Sequence, residues 1–259
     1  MRNNKMNKKE ELNFYEKIKD WDFSAIKYKE ESLTNWDMYQ IVKDNSNSQS
    51  RILDIGTGGG ENLLKNFPTV KEIIGTDFSK EMIKTAKDNL KKSQRKNIEF
   101  RQMDNLHMTT KENYFDIVTA RHTCIDARQI YNTLKKGGML ILRGVDKLDC
   151  WELKYSFKKG QAYKDLRPIS LIDYEDILKA GFKNVELVPI HIREYYETKK
   201  DLLALLLKTP ILIDFSEKEK SKGLEFNEDI ELLDKYIASH KTNKGILLIR
   251  RYYGITATK

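Results

Sequence analysis

The chain has 259 residues, 39% of them hydrophobic and 33% charged, with 47 basic against 39 acidic side chains and a formal charge of +8. That length suits one folded core with a wet surface. Apolar runs such as Leu202–Leu207 are far too short to cross a bilayer, the N-terminus lacks the apolar stretch of a secretory signal, and Cys124 and Cys150 with four histidines have no metal-ligand spacing. Both cysteines read as buried or incidental thiols, which points to a reducing, cytoplasmic compartment. The basic excess leaves nucleic acid open as a partner, although the lysines stand beside acids through most segments.

In chain order, 8–20 reads as a charged amphipathic helix with Leu12, Phe14, Tyr15 and Ile18 on its apolar side. Trp21-Asp22-Phe23 breaks it, and Ser24 is placed to cap a second helix over 24–43. Ile26, Leu33, Trp36, Tyr39, Gln40 and Val42 form no clean stripe there, so part of that helix should face a ligand or another element. A polar loop over 45–50 leads to a short strand, Ile52-Leu53-Asp54-Ile55, and then to Gly56-Thr57-Gly58-Gly59-Gly60 and a helix start at Glu61. A strand, a glycine turn and a helix in that order make a nucleotide-type cradle. A dinucleotide fingerprint needs a small residue where Glu61 stands, so the pattern is instead D-x-G-x-G-x-G.

A second strand over 73–76 ends in Asp77 and Phe78, and Ser79 caps a helix over 80–94 with Met82, Ile83, Ala86 and Leu90 at helical spacing. An acid at such a strand end can accept from both hydroxyls of a ribose. A third strand over 98–103 runs into Asp104-Asn105-Leu106, and a fourth over 115–120 ends at Ala120, followed by Arg121-His122. Leu134-Lys135-Lys136-Gly137-Gly138 turns into a fifth strand, 139–142. Then come a helix over 150–157, a helix capped by Ser170 and ending at Gly181, and a long strand over 182–193. The segment up to the last strand, 245–250, reads as three helices: 201–208 capped by Thr198 and stopped before Pro210, one from 216 toward 223, and one over 227–240.

The ordered set from 51 to 145 resembles the class I S-adenosylmethionine (SAM) methyltransferases. The resemblance rests on Asp54 to Gly60, on G-x-D-x-S-x-x-M at Gly75 to Met82, on F-D-x-V at Phe115 and on L-K-x-G-G at Leu134. It implies a Rossmann-like three-layer α/β sandwich around a seven-stranded, mostly parallel sheet of order 3-2-1-4-5-7-6. The domain would comprise an N-terminal helical cap over 1–48, a SAM-binding core over 49–195 and 244–254, and a helical insertion over 196–243 that is a candidate substrate lid. Asp54, Gly56, Thr57, Gly58, Gly60, Asp77, Phe78, Met82, Asp104, Asn105, Leu106 and Ala120 are the implied cofactor-binding residues. Asp77 would take the ribose, Phe78 would lie near the adenine, and Asp104 would meet its amino group.

Helices ahead of the first strand often cover the cofactor's methionine end in such proteins. Tyr28 and Trp36, which read first as packing residues, are candidates to face its sulfonium. No N-P-P-Y run and no Pro-Cys pair follows the fourth strand, which disfavours amino-methylation of adenine or glutamine and C5-methylation of cytosine. His122 is a candidate general base, and Arg121 a candidate holder of an acceptor's or the cofactor's carboxylate; the alternative is that both cap the next helix or meet Asp126. The expected reaction is direct transfer of a methyl group from SAM to an O or N atom of a small molecule. The rivals are an RNA base as acceptor, and a cofactor-binding sensor or partner subunit without turnover. No metal and no membrane partner is expected.

Overall fold

A computed structural model describes residues 25–212 and 223–259. The helix expected over 8–20, its break at 21–23 and the Ser24 cap lie outside the described residues, as does nearly all of the helix expected from 216.

The expected strands form where apolar side chains alternate. In β2 (Arg51–Ile55), Leu53 and Ile55 enter one core, with Val118, Leu140 and Ile177, while Ile52 enters the other, with Ile73, Ile117 and Ile141. A strand that feeds two cores lies between two helical layers. Four parallel ladders link β4 (Ile98–Gln102), β3 (Glu72–Asp77), β2, β5 (Phe115–Arg121) and β6 (Leu134–Val145). The antiparallel pair β9 (Gly245–Thr258) and β7 (Lys183–Tyr196) completes the expected order of seven.

On one face lie α1 (Met38–Asp44), α2 (Glu61–Asn66) and α3 (Lys80–Lys92); on the other lie α4 (Ala127–Thr133) and α6 (Ile169–Ala180). As expected, Ser79 Oγ accepts from Met82 N–H at the start of α3. α6 begins at Ile169, one residue before the Ser170 expected to cap it.

Two expectations are corrected. The sheet has nine strands among the described residues rather than seven, and the 24–43 segment is not one helix. Residues Tyr28–Ser32 form β1, paired antiparallel to β7 at the sheet edge; only α1 is helical, capped by the Asp37 carboxylate on Tyr39 and Gln40 N–H. Lysine and glutamate are good helix formers, but the open edge of β7 offers this segment a ladder of backbone hydrogen bonds that outweighs weak local preference. The ninth strand, β8 (Lys241–Thr242), is a short return onto β9.

A separate apolar cluster sits over the far end of the sheet. It joins α5 (Trp151–Phe157), α7 (Lys199–Lys208) and α8 (Gly223–His240) to Tyr196 and Leu248. Thr198 and Asp201 close a capping box on α7, and Asp201 also accepts from Lys27 N–H, so α7 and the entry to β1 share one carboxylate.

Candidate functional site

The parallel strands deliver their carboxyl ends to one side of the sheet, where ligands of open α/β folds bind. A cavity of about 980 Å³ opens there. Its first half is the glycine loop. Gly56, Gly58 and Gly60 have φ of +73°, +58° and +77°, a region in which a Cβ is strained. Their surroundings separate them. A Cβ on Gly56 would meet Thr123 at 2.6 Å, and one on Gly60 would meet Phe100 at 2.6 Å, so both positions are closed by packing. A Cβ on Gly58 meets nothing within 4 Å, because this residue faces the cavity.

Asp77, at the end of β3, orders the loop. Its carboxylate accepts from Gly58 N–H at 3.0 Å and from Ser79 N–H at 2.9 Å, and it lines the cavity with Phe78 and Met82. Burial raises its pKa, against the pull of those backbone donors. Asp54 lies beneath the loop, 7% exposed, and accepts from Thr119 Oγ1 at 2.6 Å. Burial pushes its carboxyl up to about 6, opposed by the neighbouring hydroxyls of Thr119 and Thr57. Thr57 Oγ1 is buried without a well-formed hydrogen bond and borders the cavity.

The second half is built by β1, β5, β6, β7 and β9. Tyr28, Glu30 and Ser32 share one face of β1 and line the wall, as do Ile190, Ile192 and Glu194 on β7. Arg121 and Arg143 stand at paired positions on β5 and β6, and both line the cavity. His122 follows with φ +55°, a strained value for a residue with a Cβ. Its ring stacks on Tyr252, centroids 5.1 Å apart, and its Nε2 lies 2.7 Å from the Arg143 guanidinium. Burial and then Arg121, Arg143 and Arg250 hold its pKa well below the usual range. Arg250 bonds both oxygens of Asp149, at 2.9 and 3.0 Å, and contacts Glu194, which also accepts from Tyr196 Oη.

Of the expected residues, Gly56, Thr57, Gly58, Asp77, Phe78, Met82, Arg121 and His122 meet on this cavity. Asp54, Gly60 and Ala120 are packed beneath it. Asp104, Asn105 and Leu106 are not on its walls: Asp104 accepts from Leu106 N–H and pairs with His107, and Asn105 Nδ2 donates to Thr123 Oγ1. The expected base-lining segment is thus held by its own turn and by Thr123. Arg121 and His122 do not cap the next helix, since Asp126 does that. Of the two aromatic candidates, Tyr28 and Trp36, both line the cavity. Sequence reasoning missed Arg143, Tyr252, Arg250 and Glu194. Arg143 had a usable signal, a charge near the carboxyl end of a parallel strand, the kind of position that marked Arg121.

A family model described as a methyltransferase domain matches residues 46–177, just over half of the chain. The chain belongs to that family. Its members of this fold class use SAM, and the residues present fit such a group: the domain offers an open glycine at Gly58 and a carboxylate at a strand end. The methyltransferase domain is 30% identical over 102 residues to the uncharacterised methyltransferase YcgJ of Bacillus subtilis, covering 37% of this chain. It is 31% identical over 100 residues to demethylmenaquinone methyltransferase of Lactococcus lactis, covering 35% of this chain. Each match spans 40% of the relative's own length. In fold it is similar to a candidate methyltransferase of Bacillus halodurans, with TM-score 0.59 and 19% identity over 86% of this chain and 98% of that one. It is also similar to a SAM-dependent methyltransferase of Aquifex aeolicus, with TM-score 0.52 and 14% identity over 95% and 97%. Among the described residues no helix is long and apolar enough to cross a membrane.

Proposed function

We propose that this protein transfers a methyl group from SAM to an O or N atom of a small molecule. The observation that carries the reading is one continuous cavity with two chemically different halves, the glycine loop with Asp77 at one end and a wall of arginine, histidine and aromatic side chains at the other. Its volume, about 980 Å³, is in the range of sites that enclose a cofactor with a small acceptor rather than a polymer groove. When bound, SAM supplies a methyl group on a cationic sulfur, displaced in line as the acceptor's lone pair forms the new bond and sulfur keeps the electrons of the old one.

The chain's part is binding, alignment and exclusion of water. Gly58 lets the backbone approach the ligand, and Asp77 accepts from ribose with the lone pairs left over from the loop. Asp54 and Gly60 shape the loop from below. Ile26, Tyr28, Leu205 and Thr209 bring the segment before α1 and the insertion over 196–243 to the same cavity, as a cover for the acceptor. His122 serves as an orienting group. A guanidinium only donates, so the hydrogen-bond network assigns the neutral ring its proton on Nδ1 and gives the Nε2 lone pair to Arg143. That leaves no free lone pair to take a proton, and an acidic acceptor would lose its own to solvent.

The test is transfer of labelled methyl from SAM into a host extract separated into small molecules, RNA and protein. Label in the small-molecule fraction supports the proposal. Label confined to RNA would assign the acceptor to nucleic acid and give the basic surface a role. Tight SAM binding with no label in any fraction would favour a sensor or partner subunit.

A further inference from the structure

Resting on the small-molecule reading, we propose that the acceptor carries an anionic group, a carboxylate or a phosphoryl, seated between Arg121 and Arg143. The two guanidinium-bearing residues are direct partners across the parallel ladder of β5 and β6, at the strand ends that open into the cavity. Like charges at paired sheet positions repel, so a group that offsets them is stabilising there. Among the described residues neither guanidinium forms an ion pair with a carboxylate, although the buried Asp54 feels the charge of Arg121. Arg121 makes no side-chain hydrogen bond or ion pair, and Arg143 touches a neutral imidazole and the face of Tyr252, at 4.2 Å.

Three acids of the same wall are engaged elsewhere, Glu61 meets Asn89, and Glu30 is exposed on β1. Glu194 takes Arg250 and Tyr196, Asp37 caps α1, and Asp77 holds the loop. A third group converges on the pair. The Tyr39 hydroxyl is buried without a partner, on a residue that lines the cavity close enough to Arg121 and Arg143 to feel both charges. Two planar forks and an orphaned hydroxyl make a donor set to which no carboxylate among the described residues is hydrogen-bonded. A ligand sulfonium would add a further positive charge, which an anionic acceptor offsets. Burial lowers the pKa of Arg143, the mark of a charge packed without its counter-ion.

The rival source of the anion is the carboxylate of the cofactor itself. S-adenosylhomocysteine has that carboxylate and 5′-methylthioadenosine does not, so their affinities separate the two. Both nucleosides are titrated calorimetrically into the full chain and into Arg121→Gln, Arg143→Gln and Arg143→Lys. Phosphate and acetate are then titrated into each protein, with and without S-adenosylhomocysteine. The proposal expects one of the two anions to bind the wild type in the millimolar range. It expects either glutamine variant to weaken that binding about tenfold or more, Arg143→Lys to recover part of it, and the ratio of the two nucleoside affinities to hold. Phosphate preferred over acetate assigns a phosphoryl group, and the reverse assigns a carboxylate. A wild type that binds neither anion overturns the proposal. So does a collapse of S-adenosylhomocysteine affinity to that of methylthioadenosine in the glutamine variants. Failure of both nucleosides to bind the wild type, with arginine-dependent anion binding intact, removes the cofactor reading and leaves the anion site standing.

Discussion

Two carboxylates sit within the glycine motif's reach, and their surroundings give them different work. Asp77 shares its lone pairs between two backbone donors and the cavity. Asp77→Asn keeps one acceptor oxygen and loses the charge, so calorimetry should show S-adenosylhomocysteine binding weakened about tenfold or more with the far-ultraviolet dichroism unchanged. Asp54 is buried beneath the loop and bonded to Thr119. Its folded pKa, about 6, lies above the ordinary 3.8, so the folded chain holds the proton more tightly than the unfolded one. The resulting stability is fully present below about pH 4 and lost as pH rises through 6, a difference on the order of 3 kcal/mol. Asp54→Asn should therefore raise the urea midpoint at pH 8 and leave it unchanged near pH 4. An equal shift at both pH values would show that the carboxylate is not the source.

At the scale of elements, the loop between β2 and α2 was legible because each step of it is local. A positive φ needs glycine, and the alternation of Ile52, Leu53 and Ile55 marks the strand before it. The structure alone separates the glycines by what surrounds them. Gly60→Val drives side-chain atoms into Phe100 and should lower stability by several kcal/mol, read as a lost or strongly shifted melting transition. Gly58→Val meets no protein atom and should cost about 1–2 kcal/mol in backbone strain while abolishing nucleoside binding. Equal stability loss in both variants would mean that Gly58 is not a ligand-facing position. β1 was illegible for the opposite reason. Its charged residues favour a helix locally, and only the edge of β7, a distant part of the chain, makes it a strand.

Across the whole molecule, the helical cluster of α5, α7 and α8 is joined to the sheet by an ion network as well as by apolar packing. Arg250 on β9 holds Asp149, just ahead of α5, and Glu194 on β7. Its flanking acids are 3% and 6% exposed. Arg250→Met would leave both buried without their cation and should cost about 3–5 kcal/mol in urea denaturation, far more than the same change at an exposed arginine. A loss below about 1 kcal/mol would show the network to be solvent-screened.

The amino-acid sequence by itself determined the glycine loop of this protein and the strand and helix that flank it. Strand, glycine turn, helix and terminal acid recur at fixed local spacing, and each is dictated by backbone conformation or by alternation within a few residues. It also determined the order of the seven core strands, through the family those motifs identify. Only the tertiary structure decided the second half of the cavity. The wall of Arg121, Arg143, Glu194, Arg250, Tyr252 and the face of β1 is assembled from strands far apart in the chain. Which side chains meet there depends on ladder register and on which sheet edge stays open, and neither is written in any local stretch of sequence.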